Sequence, residues 1–367
     1  MTILPQKKKI ELLNKVRRIE RKKSCSIREF AQFIGLLVAS CPGVDYGMIH
    51  TKSLEVAKLQ ALEENEGNFE KTMKIPKSIK GDLGWWKRKL ESSYKKIKSM
   101  CFEREIFSDA SKTGWGAYCS GKQAYGHWTS KQSDLHINQL ELKAALLALK
   151  CFANDLSDCE ILLRVDNTTA MAYINKMGGV RVDYLHKDAE KLWNWCEERR
   201  LWVFAEYISS KENKEADALS RIQNIDTEWE LADYAFHQIR KTFGEPEIDL
   251  FASKTNKKCR IYSSWERDPD AIVVNAFTLS WSNLNFYAFP PFSIIAKVLH
   301  KIKVEKASGI VVVPRWTSQI WFPVFMKLVK GPYLEFHPNV NLSPCRTRYH
   351  SLASKLTLVA ARLSAKP

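Results

Sequence analysis

No apolar run in this 367-residue chain approaches the roughly 20 residues that a membrane-spanning helix needs. A helical membrane protein is thereby excluded. The opening residues, Met1 to Pro5 followed by Lys7-Lys8-Lys9, have no apolar core behind their charges. A secretory signal is therefore not expected, and an intracellular protein is. Paired cysteines are lacking as well. The nine cysteines, at 25, 41, 101, 119, 151, 159, 196, 259 and 345, are odd in number and never form a Cys-x-x-Cys pair. This argues against both a disulfide framework and a structural zinc site, and favours free thiols in a reducing compartment. Internal repeats and low-complexity tracts are also absent.

What the chain does have is positive charge, unevenly spread. Residues 1–100 hold 22 Lys and Arg against 11 Asp and Glu, residues 101–222 hold 16 against 18, and residues 223–367 hold 19 against 12. A nearly neutral middle between basic flanks suits metal chemistry on a polyanion that the flanks help to hold. Lys-rich helices that merely keep a protein in solution would give the same totals, so charge alone does not decide.

The first hundred residues read as helix: an amphipathic basic stretch Ile10–Arg21, an apolar helix Phe30–Ala39, then Lys52–Glu64 and Leu83–Lys98. Ser26-Ile27-Arg28-Glu29 has the form of a capping box, and Pro42-Gly43 ends the second helix. From residue 103 the period changes. Strands are expected at Glu103–Ser108, Trp115–Ser120 and Gln123–Trp128, followed by helix Asn138–Ala153 and strand Glu160–Val165. Helix Thr168–Lys176 stops at Gly178-Gly179, and a longer helix carries Leu185, Ala189, Leu192 and Cys196. Strand Leu201–Ile208 and helix Asn213–Ile222 complete the order β-β-β-α-β-α-α-β-α. Such an order predicts an α/β unit with a five-stranded mixed sheet and flanking helices. The pattern restarts near 245 with Ile248-Asp249-Leu250-Phe251, Phe286 to Phe292 and Gly309 to Pro314, a second α/β domain. The expected divisions are 1–100, a basic helical module; 101–224; 245–335; and a tail, 336–367. Trp265, Trp281, Trp316 and Trp321 could stack on bases, but in an α/β domain such residues more often serve the core.

Four acids sit where packing does not explain them. Asp109 and Asp166 end apolar strands, Glu141 interrupts the nearly all-apolar run Leu140–Phe152, and Asp217 lies just inside a helix start. Burying one carboxylate is costly, so several converging need a compensating cation. Oxygen-only ligation, with no His or Cys, favours Mg²⁺ or Mn²⁺ over zinc. A pair of such ions about 4 Å apart can activate water and stabilise a leaving oxygen on a phosphodiester. Each acid taken singly could equally be a cap or a surface charge; the joint order on this topology is what points to a site.

At these residues residues 103–222 resemble a retroelement ribonuclease H domain. The resemblance is carried by Phe107-Ser108-Asp109-Ala110-Ser111 with Gly114-Trp115-Gly116-Ala117, by Asn138-Gln139-Leu140-Glu141-Leu142-Lys143-Ala144, by Val165-Asp166-Asn167-Thr168, and by Tyr207 through Arg221. It implies metal-dependent cleavage of the RNA strand of an RNA–DNA hybrid. Asp109, Glu141, Asp166 and Asp217 match the family's metal-binding acids for two Mg²⁺ or Mn²⁺ ions, and Asn138 matches a substrate-contacting position. Gln139 and Asn167 are expected beside it in substrate binding. Cellular members carry a histidine in the loop before the last helix; Tyr207–Asn213 has none, which implies slower turnover.

The flanks resemble parts of DIRS-type retrotransposon polyproteins. Ile27 to Gly35 with Cys41-Pro42-Gly43-Val44 and Tyr46-Gly47 resembles the segment after the polymerase palm. The palm is missing, since no Asp-Asp pair occurs, so a separate reverse-transcriptase polymerase domain is the implied partner. Residues 246–335 resemble a degenerate DNA adenine methyltransferase-like domain. Asp249-Leu250-Phe251-Ala252-Ser253 lacks cofactor-approach glycines, and Phe289-Pro290-Pro291-Phe292 has Phe289 where Asp or Asn would hold the target amine. The alternatives to a nuclease are a catalytically silent nucleic-acid-binding remnant and an active adenine methyltransferase.

Overall fold

The structure, a computed structural model, describes residues 2–92, 95–222, 229–339, 341–345, 348–349, 352 and 354–366. Positions 93–94 of the expected helix Leu83–Lys98, and 223–224 at the expected domain end, lie outside them. The chain divides into two compact units. The first is Met1–Ala110, Tyr118–Gly121 and His136–Asp217; the second is Ser111–Ala117, Lys122–Leu135 and Ala218–Pro367.

The N-terminal segment is helical, as its periodicity dictates. Helix α1 (Gln6–Arg21) buries Leu12, Val16 and Ile19, one residue per turn, and leaves its basic residues outside. Strand β1 (Ser24–Ser26) pairs antiparallel with β2 (Thr72–Lys74) around helices α2 (Ile27–Val38) and α3 (Ile49–Glu64). Only half of the capping box forms. Ser26 Oγ accepts the Glu29 N–H at 3.1 Å, whereas the Glu29 carboxylate turns to Lys22 and Arg18 at 2.7 and 2.5 Å. Two cations outcompete one backbone N–H. Helix α4 runs Lys80–Ser92, not Leu83–Lys98, because the 3-10 turn Lys77–Ile79 after Pro76 starts it early.

This helical segment packs against the later part of its own unit. Tyr46 donates its hydroxyl to the Leu201 carbonyl at 2.7 Å and meets the Trp193 and Trp202 rings at 6.1 and 5.5 Å. His50 stacks on Trp85 at 3.9 Å between two carboxylates, Asp82 at 2.8 Å and Glu197 at 3.4 Å. Glu197 also accepts from the Trp85 indole and pairs with Lys89 at 2.7 Å. These contacts hold Glu197 at about 2, below its ordinary 4.5, although burial pushes the other way. Burial lowers His50, but Asp82 and Glu197 outweigh it and the net shift is upward.

Strands β3 (Phe102–Ala110), β4 (Gly114–Cys119), β5 (Lys122–His127), β6 (Glu160–Val165) and β7 (Trp202–Tyr207) form one sheet in the order β5-β4-β3-β6-β7. The two-residue turn Ser120-Gly121, both with positive φ, makes β4 and β5 an antiparallel hairpin. Strands β3, β6 and β7 run parallel, so the sheet is mixed. Between strands come the one-turn α5 (Ser130–Ser133), which the sequence did not announce, then α6 (Ile137–Phe152), α7 (Thr168–Asn175), α8 (Asp183–Arg199) and, last, α9 (Lys214–Ser220). The predicted five-stranded mixed α/β sheet is what the chain forms.

The second unit holds helix α10 (Asp233–Phe243), β8 (Ile248–Asp249), β9 (Ile261–Ser264), β10 (Val273–Val274), β11 (Asn285–Ala288), α11 (Ile295–Val304), β12 (Ser308–Pro314), α12 (Phe322–Leu328), β13 (Val329–Phe336), the short pair β14 (Pro344–Cys345) and β15 (Arg348–Tyr349), and β16 (Leu358–Ser364). Its seven-stranded sheet has the order β10-β9-β8-β11-β12-β16-β13, parallel from β10 to β12, with β16 antiparallel to both neighbours. Residues 336–367, expected as a tail, thus supply an interior strand. The alternation of β-strand side chains builds two cores. Val311, Val313, Val359, Ala361 and Leu363 face α11 on one side; Ile310, Val312, Leu358 and Ala360 face α10 on the other. Gly309 lets the Phe286 ring lie on the strand, since a Cβ there would meet the ring at 2.4 Å. Trp281 and Trp321 belong to the core, Trp316 packs partly against it, and only Trp265 stands exposed.

Candidate metal centre

Register places the first two acids. Ser108 lies opposite Val165 on the parallel strands β3 and β6, so the next residues, Asp109 and Asp166, emerge side by side at the strand ends. Helix α6 lies close to β3, with Ala144 and Ala145 wholly buried, and this brings Glu141 to the same point. There its carboxylate accepts the Ala110 N–H. Asp109, Glu141 and Asp166 each offer an oxygen within 4.8 Å of the others. Asp109 and Glu141 are buried and Asp166 is half-buried.

The geometry is electrostatically costly without a cation. Glu141 is pushed up to about 9, first by burial and then by the charges of Asp109, Asp166 and Asp217, against the Ala110 N–H, which acts to lower it. Its Oε2 is buried and has no hydrogen-bond partner among the described residues. A buried, unpartnered carboxylate oxygen facing two more carboxylates is the donor set a hard divalent cation requires. Asp217, in the first turn of α9, is near enough to raise Glu141 but stands outside the 4.8 Å triad.

The residues expected to meet substrate separate into two groups. Asn167 caps α7, its side-chain oxygen accepting the Ala170 N–H at 2.8 Å, while its amide donates to Asn138 Oδ1 at 2.9 Å. Asn138 and Asn167 therefore form a pair beside Asp166. Gln139 differs: its amide donates at 2.8 Å to Asp188 on α8, a buried carboxylate also held by Lys143 at 2.9 Å. Its place is thus an interhelical polar contact that spacing along α6 could not reveal. In the second unit Asp249 is buried and raised to about 6, chiefly by burial, and its oxygens accept the backbone N–H groups of Phe251 and Lys258. Phe289 packs edge-on to Phe292.

The loop between β7 and α9 contributes a residue that sequence reading missed. Ser210 donates its hydroxyl to Asp166 Oδ2 at 2.6 Å. The only available signal was its position, seven residues before Asp217 in an otherwise Lys- and Glu-rich stretch.

No protein-family model matches this chain, and no curated protein does. Among solved structures it is similar to RNase H1 from the halophilic archaeon Halobacterium salinarum, at 18% identity over 32% of this chain and 92% of that one, with a TM-score of 0.28. It is similar also to LC11-RNase H1 in complex with RNA/DNA hybrid, at 22% identity over 32% and 93%, TM-score 0.26. A foamy viral protease-reverse transcriptase in complex with RNA/DNA hybrid matches at 13% identity over 53% of this chain but only 26% of that chain, TM-score 0.21. Among the described residues no helix is long and apolar enough to cross a membrane.

Proposed function

We propose that residues 101–224 form a metal-dependent endonuclease that cleaves the RNA strand of RNA–DNA hybrids, derived from a retrotransposon. The observation that carries this reading is the convergence of Asp109, Glu141 and Asp166 within 4.8 Å, with a buried Glu141 oxygen left without a partner. These three, with Asp217, are the residues that would hold two Mg²⁺ or Mn²⁺ ions. When bound, such ions supply an acidified water and stabilise charge on the leaving oxygen. The chain's own contribution is placement. Asp109 and Asp166 are fixed by strand register, Glu141 by the close approach of α6, and Asp217 by a helix whose Asp217 N–H donates to the Asn213 carbonyl at 3.0 Å. Asn138 and Asn167 are the polar groups beside these acids suited to sugar and phosphate oxygens. Recognition of hybrid shape and 2′-hydroxyls entails little sequence preference.

Residues 1–100 we read as a basic module that helps hold the nucleic acid. The second unit we read as a methyltransferase-like fold without methyl transfer. Counting its sheet strands along the chain, with the short β14–β15 pair set aside, the order is third, second, first, fourth, fifth, seventh, sixth. Its first five places follow the doubly wound nucleotide-binding arrangement, which supports the reading of the fold. Against catalysis stand Phe289, which offers no polar group to an amine, and Asp249, whose oxygens serve its own loop. A labelled RNA–DNA hybrid incubated with the full chain and Mg²⁺ tests the proposal. Cleavage of the RNA strand is expected, and an Asp166→Asn variant should lower it at least a hundredfold. Cleavage no greater than in that variant leaves only the silent nucleic-acid-binding remnant.

A further inference from the structure

The loop that carries Ser210 is built around the two metal-facing strands. Its entry is fixed by the Ile208 N–H, which donates to the Val165 carbonyl at 3.0 Å; Val165 is the residue before Asp166. Its exit is fixed by Asn213, fully buried, whose amide donates at 3.1 Å to the carbonyl of Ser108, the residue before Asp109. Between these staples the Glu212 and Asn213 N–H groups both donate to the Ser209 carbonyl at 2.9 and 3.0 Å. Ser209 Oγ donates to Glu212 at 2.7 Å, closing the turn with its own side chains. Ser210 takes no part in that closure. Its hydroxyl points the other way, onto Asp166 at 2.6 Å.

From this juxtaposition we propose that Ser210 is a positioning residue for Asp166 and sets the affinity of the site for divalent cations. Asp166 is the least buried of the triad and leaves the sheet at a strand end, so the Ser210 hydroxyl supplies a restraint that burial does not. A carboxylate accepts at several positions on its two oxygens, so one hydroxyl fixes its plane and leaves room for a cation. Stapling the loop to Val165 and Ser108 ties the hydroxyl to the backbone positions that set Asp166 and Asp109. A serine meeting a nearby carboxylate by chance would need none of this anchoring. The inference rests on the metal reading of the triad given above.

The test is calorimetric titration of the full chain with Mn²⁺ alone, comparing wild type, Ser210→Ala, Ser210→Thr and Asp166→Asn. Partners that hold a ligating side chain typically change metal affinity by about 10–100-fold. Ser210 is exposed, so about tenfold weaker binding is expected for Ser210→Ala. Ser210→Thr, which keeps the hydroxyl, should bind within about twofold of wild type on the same grounds. Melting in EDTA should be the same for wild type and the two Ser210 variants. In the cleavage assay Ser210→Ala should need more Mg²⁺ for half-maximal rate while reaching the wild-type rate at saturation. Equal Mn²⁺ affinity for wild type and Ser210→Ala overturns the role of Ser210 and leaves the site standing. A Thr variant as weak as the Ala variant also overturns it, by assigning the effect to loop packing. If Asp166→Asn binds Mn²⁺ as wild type does, the metal site itself fails and Ser210's role falls with it.

Discussion

Replacing Glu141 by Gln should make the metal-free protein more stable while removing its activity. In the folded chain Glu141 keeps its proton up to about pH 9; in the unfolded chain it releases it near the ordinary value of 4.5. Below 4.5 both states are protonated and the carboxyl has no effect on the balance. Between 4.5 and 9 the unfolded chain holds fewer protons, so raising the pH favours unfolding. From 4.5 to pH 7, at about 1.4 kcal/mol per pH unit, the loss amounts to about 3 kcal/mol. At pH 8 it approaches about 5 kcal/mol, and above 9 it grows no further. Gln keeps the shape and can still accept the Ala110 N–H, but has no proton to release. Urea unfolding in EDTA, followed by tryptophan fluorescence, should therefore show Glu141→Gln more stable at pH 7 by up to about 3 kcal/mol, with the gap closing toward pH 4.5. Adding Mn²⁺ should stabilise the wild type more than the variant, since binding to the folded state alone shifts the balance by mass action. A variant no more stable than wild type at pH 8 in EDTA would refute the reasoning.

Two further expectations follow from particular contacts. His50 is raised by Asp82 and Glu197 despite its burial, so its contribution is full below its ordinary 6.5 and is lost as pH rises through the higher folded value. His50→Gln should accordingly lose less stability than wild type between pH 6 and 9; an identical slope in the two proteins refutes this. Gly309→Val should destabilise the second unit by about 1–3 kcal/mol, because the added methyls meet the Phe286 ring. Unchanged urea midpoints would show that the ring can move aside.

Local pattern carried most of the first sheet. Strand β6 occupies the expected residues Glu160–Val165, and the acids at the ends of β3 and β6 were visible as charges terminating apolar runs. The buried Glu141 stood out because its neighbours in α6 are apolar. What the sequence hid depends on partners far along the chain. Gln139, expected beside substrate, bonds Asp188, 49 residues away, and its own helix turn gave no hint of that partner. The two-residue length of β8 and the inward course of β16 are likewise set by tertiary pairing rather than propensity. Ser210 was illegible for the same reason: nothing in its neighbours distinguishes it from Ser209, which bonds its own loop.

The course of β16 bears on how the protein is made. Strands β12 and β13 leave the ribosome well before Leu358–Ser364, the segment that joins them. Until those seven residues emerge, β12 presents an unpaired edge with Ile310, Val311, Val312 and Val313 around it. Open apolar edges invite pairing between chains, so this is the stage of synthesis most exposed to aggregation. A message with a stop codon shortly before position 358 would not yield a slightly shorter protein. It would yield a sheet whose strand β12 has an open edge and whose strand β13 has lost its partner, the condition that favours aggregation.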